Sequence, residues 1–190
     1  MQKGRLETFS DCVIAIIITI MVLELHVPHG EAWSDLVPLY PVFLSYVLSF
    51  LNLSGYWVNH HHMLQRAHKV NGAVLWANLH LLFWLSLIPL GTAWMGENHF
   101  APKPVFLYGL DLLMCSVAYA ILEAVLTRLE GKDSDFTRAL GRGAKETVSG
   151  VAHAVAVALA LFVPWVSLAI YFGVALVWVI PDQRFERIVR

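Results

Sequence analysis

Two charged side chains stand at the start of the first apolar stretch of this sequence. Arg5 and Asp11 lie within one or two helical turns of the run from Cys12 to Leu23, in which only Thr19 is polar. A carboxylate in the middle of a bilayer costs roughly 2.5–3.5 kcal/mol on insertion scales, so it requires a partner within the protein. Such charges at the start of a membrane helix predict a polar network with a neighbouring helix or a relay for protons.

Three consecutive histidines, His60 to His62, end the second apolar stretch. Histidine changes its charge near neutral pH, so these residues could take part in proton handling. Adjacent side chains on a helix point about 100° apart, however, and the three cannot all bind one ion. Helical zinc pairs use an i, i+4 spacing instead. We therefore predict no metal site and no cofactor.

Composition and hydropathy indicate a membrane protein. The chain has 190 residues, is 58% hydrophobic and has a mean hydropathy of +0.63, whereas soluble domains are about 45–50% apolar. A spanning helix requires about 20 apolar residues. Segments of about this length cover approximately 7–26, 38–62, 70–95, 104–128, 146–163 and 165–181. We predict an all-α polytopic fold in which residues 1–190 form a single domain with six transmembrane helices.

The split of the last apolar run and the positions of the basic residues define the topology. Residues 147–181 would form one helix about 50 Å long, which is too long for a bilayer, and proline breaks helix interiors, so we divide the run at Pro164. With six spans, twelve of the 13 lysines and arginines lie on one side of the membrane, and only Lys103 lies on the other. The positive-inside rule then predicts cytoplasmic termini and a multi-pass protein of the plasma membrane. The other twelve are Lys3, Arg5, Arg66, Lys69, Arg128, Lys132, Arg138, Arg142, Lys145, Arg184, Arg187 and Arg190.

Other classes of function have little support in this sequence. The net charge of −1 does not suggest a nucleic-acid partner. The motifs H-E-x-x-H and G-x-S-x-G are absent from the sequence, and no pair of carboxylates has a convincing catalytic spacing. We therefore do not expect an enzyme, and the expected partner is the lipid bilayer.

The first helix carries a pattern that resembles a known signature. The motif R-x-x-x-F-S-D, formed by Arg5, Phe9, Ser10 and Asp11, resembles that of the transmembrane-protein-175 potassium channels, the lysosomal channel and its prokaryotic relatives. Supporting matches lie in the next two helices, at Trp57-x-x-His60-His61 and at Asn78-Leu79 with Pro89 and Thr92. The last three helices match only in number and hydrophobicity.

The resemblance implies a pore lined by the first helix. Positions five, nine and twelve after the motif aspartate form constrictions in the family, and here they are Ile16, Ile20 and Leu23. Thr19 matches a hydroxyl position beside the filter. These three apolar residues share one face, because a helix turns about 100° per residue, and Asp11 points away from it. The helix is apolar nearly all round, so its periodicity alone does not say whether that face meets water, lipid or protein.

The resemblance also implies an assembly and a polar network. Since one helix per subunit lines the pore, several subunits must surround it, and the single-repeat members of the family are tetramers. The implied network joins Arg5 and Asp11 through His60 or His61, beside Phe9 and Ser10 of the same motif. It would specify how helices 1 and 2 are arranged.

Two further readings of the sequence stay open. Glu24, near the outer end of helix 1, either attracts cations to the pore mouth or is a solvated residue at the membrane edge. The leading function is a potassium channel of modest selectivity over sodium, in which ions lose part of their water at the isoleucine and leucine neck. The alternative is a proton-coupled transporter or a proton-conducting channel that uses Asp11 and the histidines of helix 2.

Overall fold

The described residues, 3–131, 134–140 and 144–179, are almost entirely helical in the computed structural model. Within these ranges the chain forms eight α-helices and one 3-10 helix and has no β-strand. The helices are α1 (Lys3–Leu23), the 3-10 helix (Trp33–Leu39), α2 (Tyr40–Arg66), α3 (Gly72–Leu85), α4 (Ile88–Glu97), α5 (Pro102–Glu130), α6 (Asp135–Leu140), α7 (Ala144–Ala160) and α8 (Pro164–Val179). The all-α fold predicted from the sequence is therefore confirmed.

Among the residues that the structure describes, four helical units are long and apolar enough to cross a membrane. They are α1, the 3-10 helix with α2, α3 with α4, and α5. The apolar α8 is shorter, at 16 residues. These helices make the chain a multi-pass membrane protein, while the count of six spans stays a prediction.

The third predicted helix is interrupted. The sequence predicts one helix over 70–95, but α3 ends at Leu85 and α4 begins at Ile88. Pro89 explains the break, because it lacks the N–H that would bond to the carbonyl group of Leu85 and its ring would clash with that carbonyl. The turn is tightened by a bond from Leu87 N to the carbonyl oxygen of Trp84, 3.0 Å. The predicted span over 70–95 thus corresponds to α3 and α4 together, which form one membrane-capable unit, Gly72–Glu97.

The C-terminal part of the chain also has boundaries that bear on the predictions. Helix α7 ends at Ala160 and α8 begins at Pro164, the residue chosen for the split. The predicted end of the last helix at 181 lies outside the described residues. So do five of the basic residues used for the topology, which are Lys132, Arg142, Arg184, Arg187 and Arg190.

Two helices organise the packing. Helix α5 contacts α3, α4, α7 and α8, and α2 contacts α1, α4 and α8. Helix α1 packs against α2, α3 and α4. Three helices of the same chain thus pack against one face of α1. This packing fixes the rotation of α1 and the directions of its other faces.

Candidate pore-lining face and its polar anchor

The inner face of α1 is the one that packs into the bundle. Leu6, Ser10, Ile14, Ile17 and Met21 are buried, and their spacings of three and four residues place them on one side of the helix. The motif itself lies within the first three turns, since α1 begins at Lys3. Burial thus identifies the side of this nearly uniform apolar helix that the chain itself covers.

The three predicted constriction residues lie on the other side of α1. The exposed fractions are 57% for Ile16, 43% for Ile20 and 81% for Leu23. Thr19 is exposed as well, and its hydroxyl donates to the carbonyl oxygen of Ile16 at 2.8 Å. The described helices of the chain leave this face exposed.

A groove of about 510 Å³ runs between α1 and α4 beside this face. Its walls include Ile16 and Ile20 from α1 and Pro89 and Leu90 from the interrupted third helix. Glu24 also lines it, and it is exposed just beyond the last residue of α1. The break at Pro89 therefore borders the same surface as two of the predicted constriction residues.

A buried chain of hydrogen bonds anchors α1 from behind. Asn78 Nδ2 donates to Ser10 Oγ at 2.9 Å, and Asn78 Oδ1 lies 2.7 Å from His60 Nε2. The Ser10 hydroxyl donates in turn to the carbonyl oxygen of Leu6, 2.9 Å. Because an amide oxygen can only accept, His60 carries its proton on Nε2. One side chain from each of α1, α2 and α3 thus meets at a single buried point.

Asp11 has a different partner from the one predicted. Trp57 Nε1 donates to Asp11 Oδ1 at 2.9 Å, and the exposed His61 ring stacks on the Trp57 indole with centroids 5.9 Å apart. Arg5 is exposed and forms no ion pair with Asp11 in the part of the chain that the structure describes. The structure therefore does not contain a network of Arg5, Asp11 and His61.

Helix geometry explains why the predicted network is divided. Ser10 and His60 are buried, whereas Asp11 and His61 each follow one residue later and are turned by about 100°. Phe9 precedes Ser10 and is 50% exposed on the other flank. The six predicted network residues thus separate into the buried Ser10 and His60, the half-buried Asp11 with the exposed His61, and the exposed Arg5 and Phe9.

Two contributors were missed by the prediction of the network. Asn78 and Trp57 belong to the supporting matches to the family, but their spacing does not show that they bridge the helices.

A second buried cluster joins α2, α4 and α5: Ser49 Oγ lies 2.6 Å from Thr92 Oγ1 and 3.0 Å from Tyr108 Oη. Small hydroxyl groups inside apolar helices were the available signal, because buried polar atoms need partners.

The described ranges of the chain contain no candidate metal site. No group of three or more histidine, cysteine, aspartate or glutamate side chains there is arranged to hold an ion. Cys12 is exposed and Cys115 is buried, and both are free thiols.

The fold and the site define a multi-pass α-helical membrane protein with an exposed apolar face on its first helix, and comparisons identify its family. Residues 5–89 match the model of the endosomal/lysosomal potassium channel TMEM175. The chain is 52% identical over 187 residues to a potassium channel of Chryseobacterium sp. (strain P1-3), which covers 98% of this chain and 97% of the relative. It is 33% identical over 135 residues to a potassium channel of Streptomyces collinus, covering 67% and 66%.

A solved structure supports the same assignment. It is the crystal structure of a lysosomal potassium-selective channel TMEM175 homolog from Chamaesiphon minutus, with a TM-score of 0.80 and 27% identity. The match covers 93% of this chain and 96% of that one. The chain belongs to the TMEM175 family, as the motif on α1 predicted.

Proposed function

We propose that this protein is a potassium channel of the plasma membrane and that α1 lines its pore in a homotetramer. The observation that carries the proposal is the position of Ile16, Ile20 and Leu23 on a face of α1 that its own subunit leaves exposed. Membership of a family whose relatives are named potassium channels supports the choice of ion. Four copies of the face around one axis would cover it and form a closed ring.

The proposed topology has six spans with both termini in the cytoplasm. Helices α7 and α8 have 17 and 16 residues and would be the fifth and sixth spans. At 1.5 Å per residue each is about 25 Å long, close to the thickness of the hydrocarbon layer. Lys103, at the start of α5, then lies outside.

The selectivity follows from dehydration at an apolar neck. Isoleucine has no oxygen that could replace the water around an ion, so a ring of Ile16 side chains makes a narrow segment that resists wetting. An ion must lose part of its hydration shell to pass. Potassium holds its water less tightly than sodium and has the lower barrier. This mechanism gives a modest preference for potassium, with Ile20 and Leu23 as further constrictions.

The buried hydrogen bonds have a role in this mechanism. Ser10, held by Asn78 and His60, lies six residues before Ile16, so the two side chains point about 120° apart. Fixing the rotation of α1 at Ser10 thereby fixes the direction of Ile16. Glu24 lines the groove beside α1 just past the end of the helix, where a carboxylate would attract cations to the mouth.

Ion flux into liposomes tests the proposed function. Purified protein should pass potassium faster than sodium without a coupled gradient, and protons should not be required. Potassium uptake that depends on a proton gradient would instead favour the proton-coupled transporter. A flux equal to that of empty liposomes would refute both.

A further inference from the structure

A second cavity lies inside the subunit, away from the proposed pore. It has a volume of about 540 Å³ and lies between α2, α5, α7 and α8. None of the described residues that line it belongs to α1, α3 or α4. Its size falls within the range of about 300–1,000 Å³ that is typical of small-molecule sites. It is therefore a candidate for a function that does not depend on the pore.

Two carboxylates line this cavity. Glu123 and Glu146 both border it and are close enough to interact electrostatically. Neither forms a salt bridge with any residue in the described ranges. Carboxylates held beside an apolar wall repel one another and lack full hydration, so a cation between them would stabilise the charged pair.

The carboxylates lie at the same end of the bundle as an aromatic wall. Glu146 is in the first turn of α7, Trp178 is next to the end of α8, and Glu123 is about 10 Å from the end of α5. Tyr119 also lines the cavity, with its ring centroid 6.5 Å from that of Trp178. Lys145 Nζ lies 4.6 Å from the Trp178 centroid, so this indole already accommodates one cation.

A buried histidine also lines the cavity. His153 lines the cavity and is 3% exposed. Its Nδ1 lies 3.1 Å from Ser116 Oγ, and its Nε2 has no hydrogen-bond partner among the described residues. Most other lining residues are small or apolar, such as Ala120 and Val174. A ligand for this cavity therefore needs an apolar body as well as a charge.

These features distinguish an organic cation from a metal ion. Aromatic faces attract ammonium groups through their negative quadrupole, whereas alkali and alkaline-earth ions prefer a shell of oxygen ligands. We propose that the cavity binds an amphiphilic organic cation, a protonated amine with an apolar body. The ammonium group lies between Glu123 and Glu146, and the body extends past Tyr119 towards His153.

Binding of three isosteric probes to the purified full-length protein in a neutral detergent tests this proposal. Octylammonium, octanol and octanoate each contain eight carbons and differ in charge, and isothermal titration measures the binding of each. Octylammonium should bind the wild type about tenfold more tightly than octanol, and octanoate should bind least, because a charge-assisted bond is stronger than a neutral one. Equal binding of octylammonium and octanol would overturn the proposal, as would tighter binding of octanoate.

Substitutions of the two cavity glutamates test where octylammonium binds. Glu123→Gln and Glu146→Gln should each weaken octylammonium binding about tenfold and leave octanol unchanged. Glu97→Gln removes the same charge from the exposed end of α4, outside the cavity, and should have no effect. Wild-type affinity in both cavity variants would place the amine elsewhere and reject the site.

A cavity-filling variant provides an independent test. A side chain at Gly150 would meet no atom within 4 Å of its Cβ, and Gly150 lines the cavity. Gly150→Phe should therefore fold and lose octylammonium binding. Gly173→Phe is the matched control, since Gly173 also has open space around it but lies outside the cavity. Undiminished binding in a folded Gly150→Phe protein would contradict the proposal, and if this variant does not fold, the two glutamine variants decide.

Discussion

Asn78 Nδ2 donates a hydrogen bond to Ser10 Oγ at 2.9 Å and so connects α3 to α1 in the interior of the bundle. The same amide meets His60 of α2 through its oxygen, 2.7 Å from Nε2. Both Asn78 and Ser10 are fully buried. Removing the amide would leave the buried Nε2 of His60 without a partner, while Ser10 would keep only its bond to the carbonyl oxygen of Leu6. An unsatisfied buried group costs more than the loss of one surface contact.

We first predict that Asn78→Ala destabilises the protein by about 1–3 kcal/mol, the cost of one unsatisfied buried polar group, here His60 Nε2. Thermal unfolding of the purified protein in detergent measures the effect. Asn98→Ala is the control, because Asn98 is exposed at the end of α4 and its side-chain amide donates to the carbonyl oxygen of Trp94 in the last turn of that helix. Similar melting temperatures for the two variants would show that the buried bonds do not anchor α1.

The second prediction compares Trp57 with Arg5. Trp57→Phe removes the donor to Asp11 and should lower stability by about 1 kcal/mol, because Trp57 is 42% exposed and water partly replaces the bond. Arg5→Gln should have a smaller effect, since Arg5 is exposed and does not pair with Asp11. If Arg5→Gln proves the more damaging change, Asp11 depends on the arginine, as in the network through His60 or His61 that the resemblance implied.

The third prediction concerns the proposed neck. Ile16→Asn would place amides where apolar side chains stand, so the neck would wet more readily and ions could keep or replace their water. Sodium would lose its dehydration disadvantage, and the ratio of potassium to sodium permeability should fall while total current holds or rises. Reversal potentials under bi-ionic conditions measure that ratio.

The control for Ile16 must be an exposed residue of the same helix. Ile17 is unsuitable, because it is only 4% exposed and an amide there would disturb the core. Val22 is 45% exposed and lies about 120° around the helix from Ile16. Val22→Asn should leave the permeability ratio unchanged, and equal ratios in Ile16→Asn and the wild type would falsify the assignment of the neck.

The fourth prediction tests six spans and cytoplasmic termini. In a Cys12→Ala background, cysteines at the exposed positions His29, Asn98 and Arg138 report on the loops. An impermeant thiol reagent added outside intact cells should label the first two only. Labelling of the cysteine at position 138 from outside would require a different number of spans before α6.

The sequence alone was sufficient for the class and the family. Its hydropathy indicated a multi-pass helical protein, and the motif from Arg5 to Asp11 predicted the family that the comparisons confirm. These properties depend on residue types within one segment, so they can be read without knowing how the segments pack. The effect of Pro89 on the third helix is equally local, although the sequence analysis predicted one helix over 70–95 there.

The tertiary structure decided which polar residues meet. Asp11 bonds to Trp57 and Ser10 to Asn78, although the resemblance placed Asp11 with Arg5 and His61. The partners are 46 and 68 residues apart in the chain, and α1 is apolar nearly all round. In such a helix the periodicity does not specify a rotation, so a one-residue difference, worth about 100°, separates the buried Ser10 from its neighbour Asp11. Only the packing of α1 against α2, α3 and α4 sets that rotation, and with it the direction of Ile16.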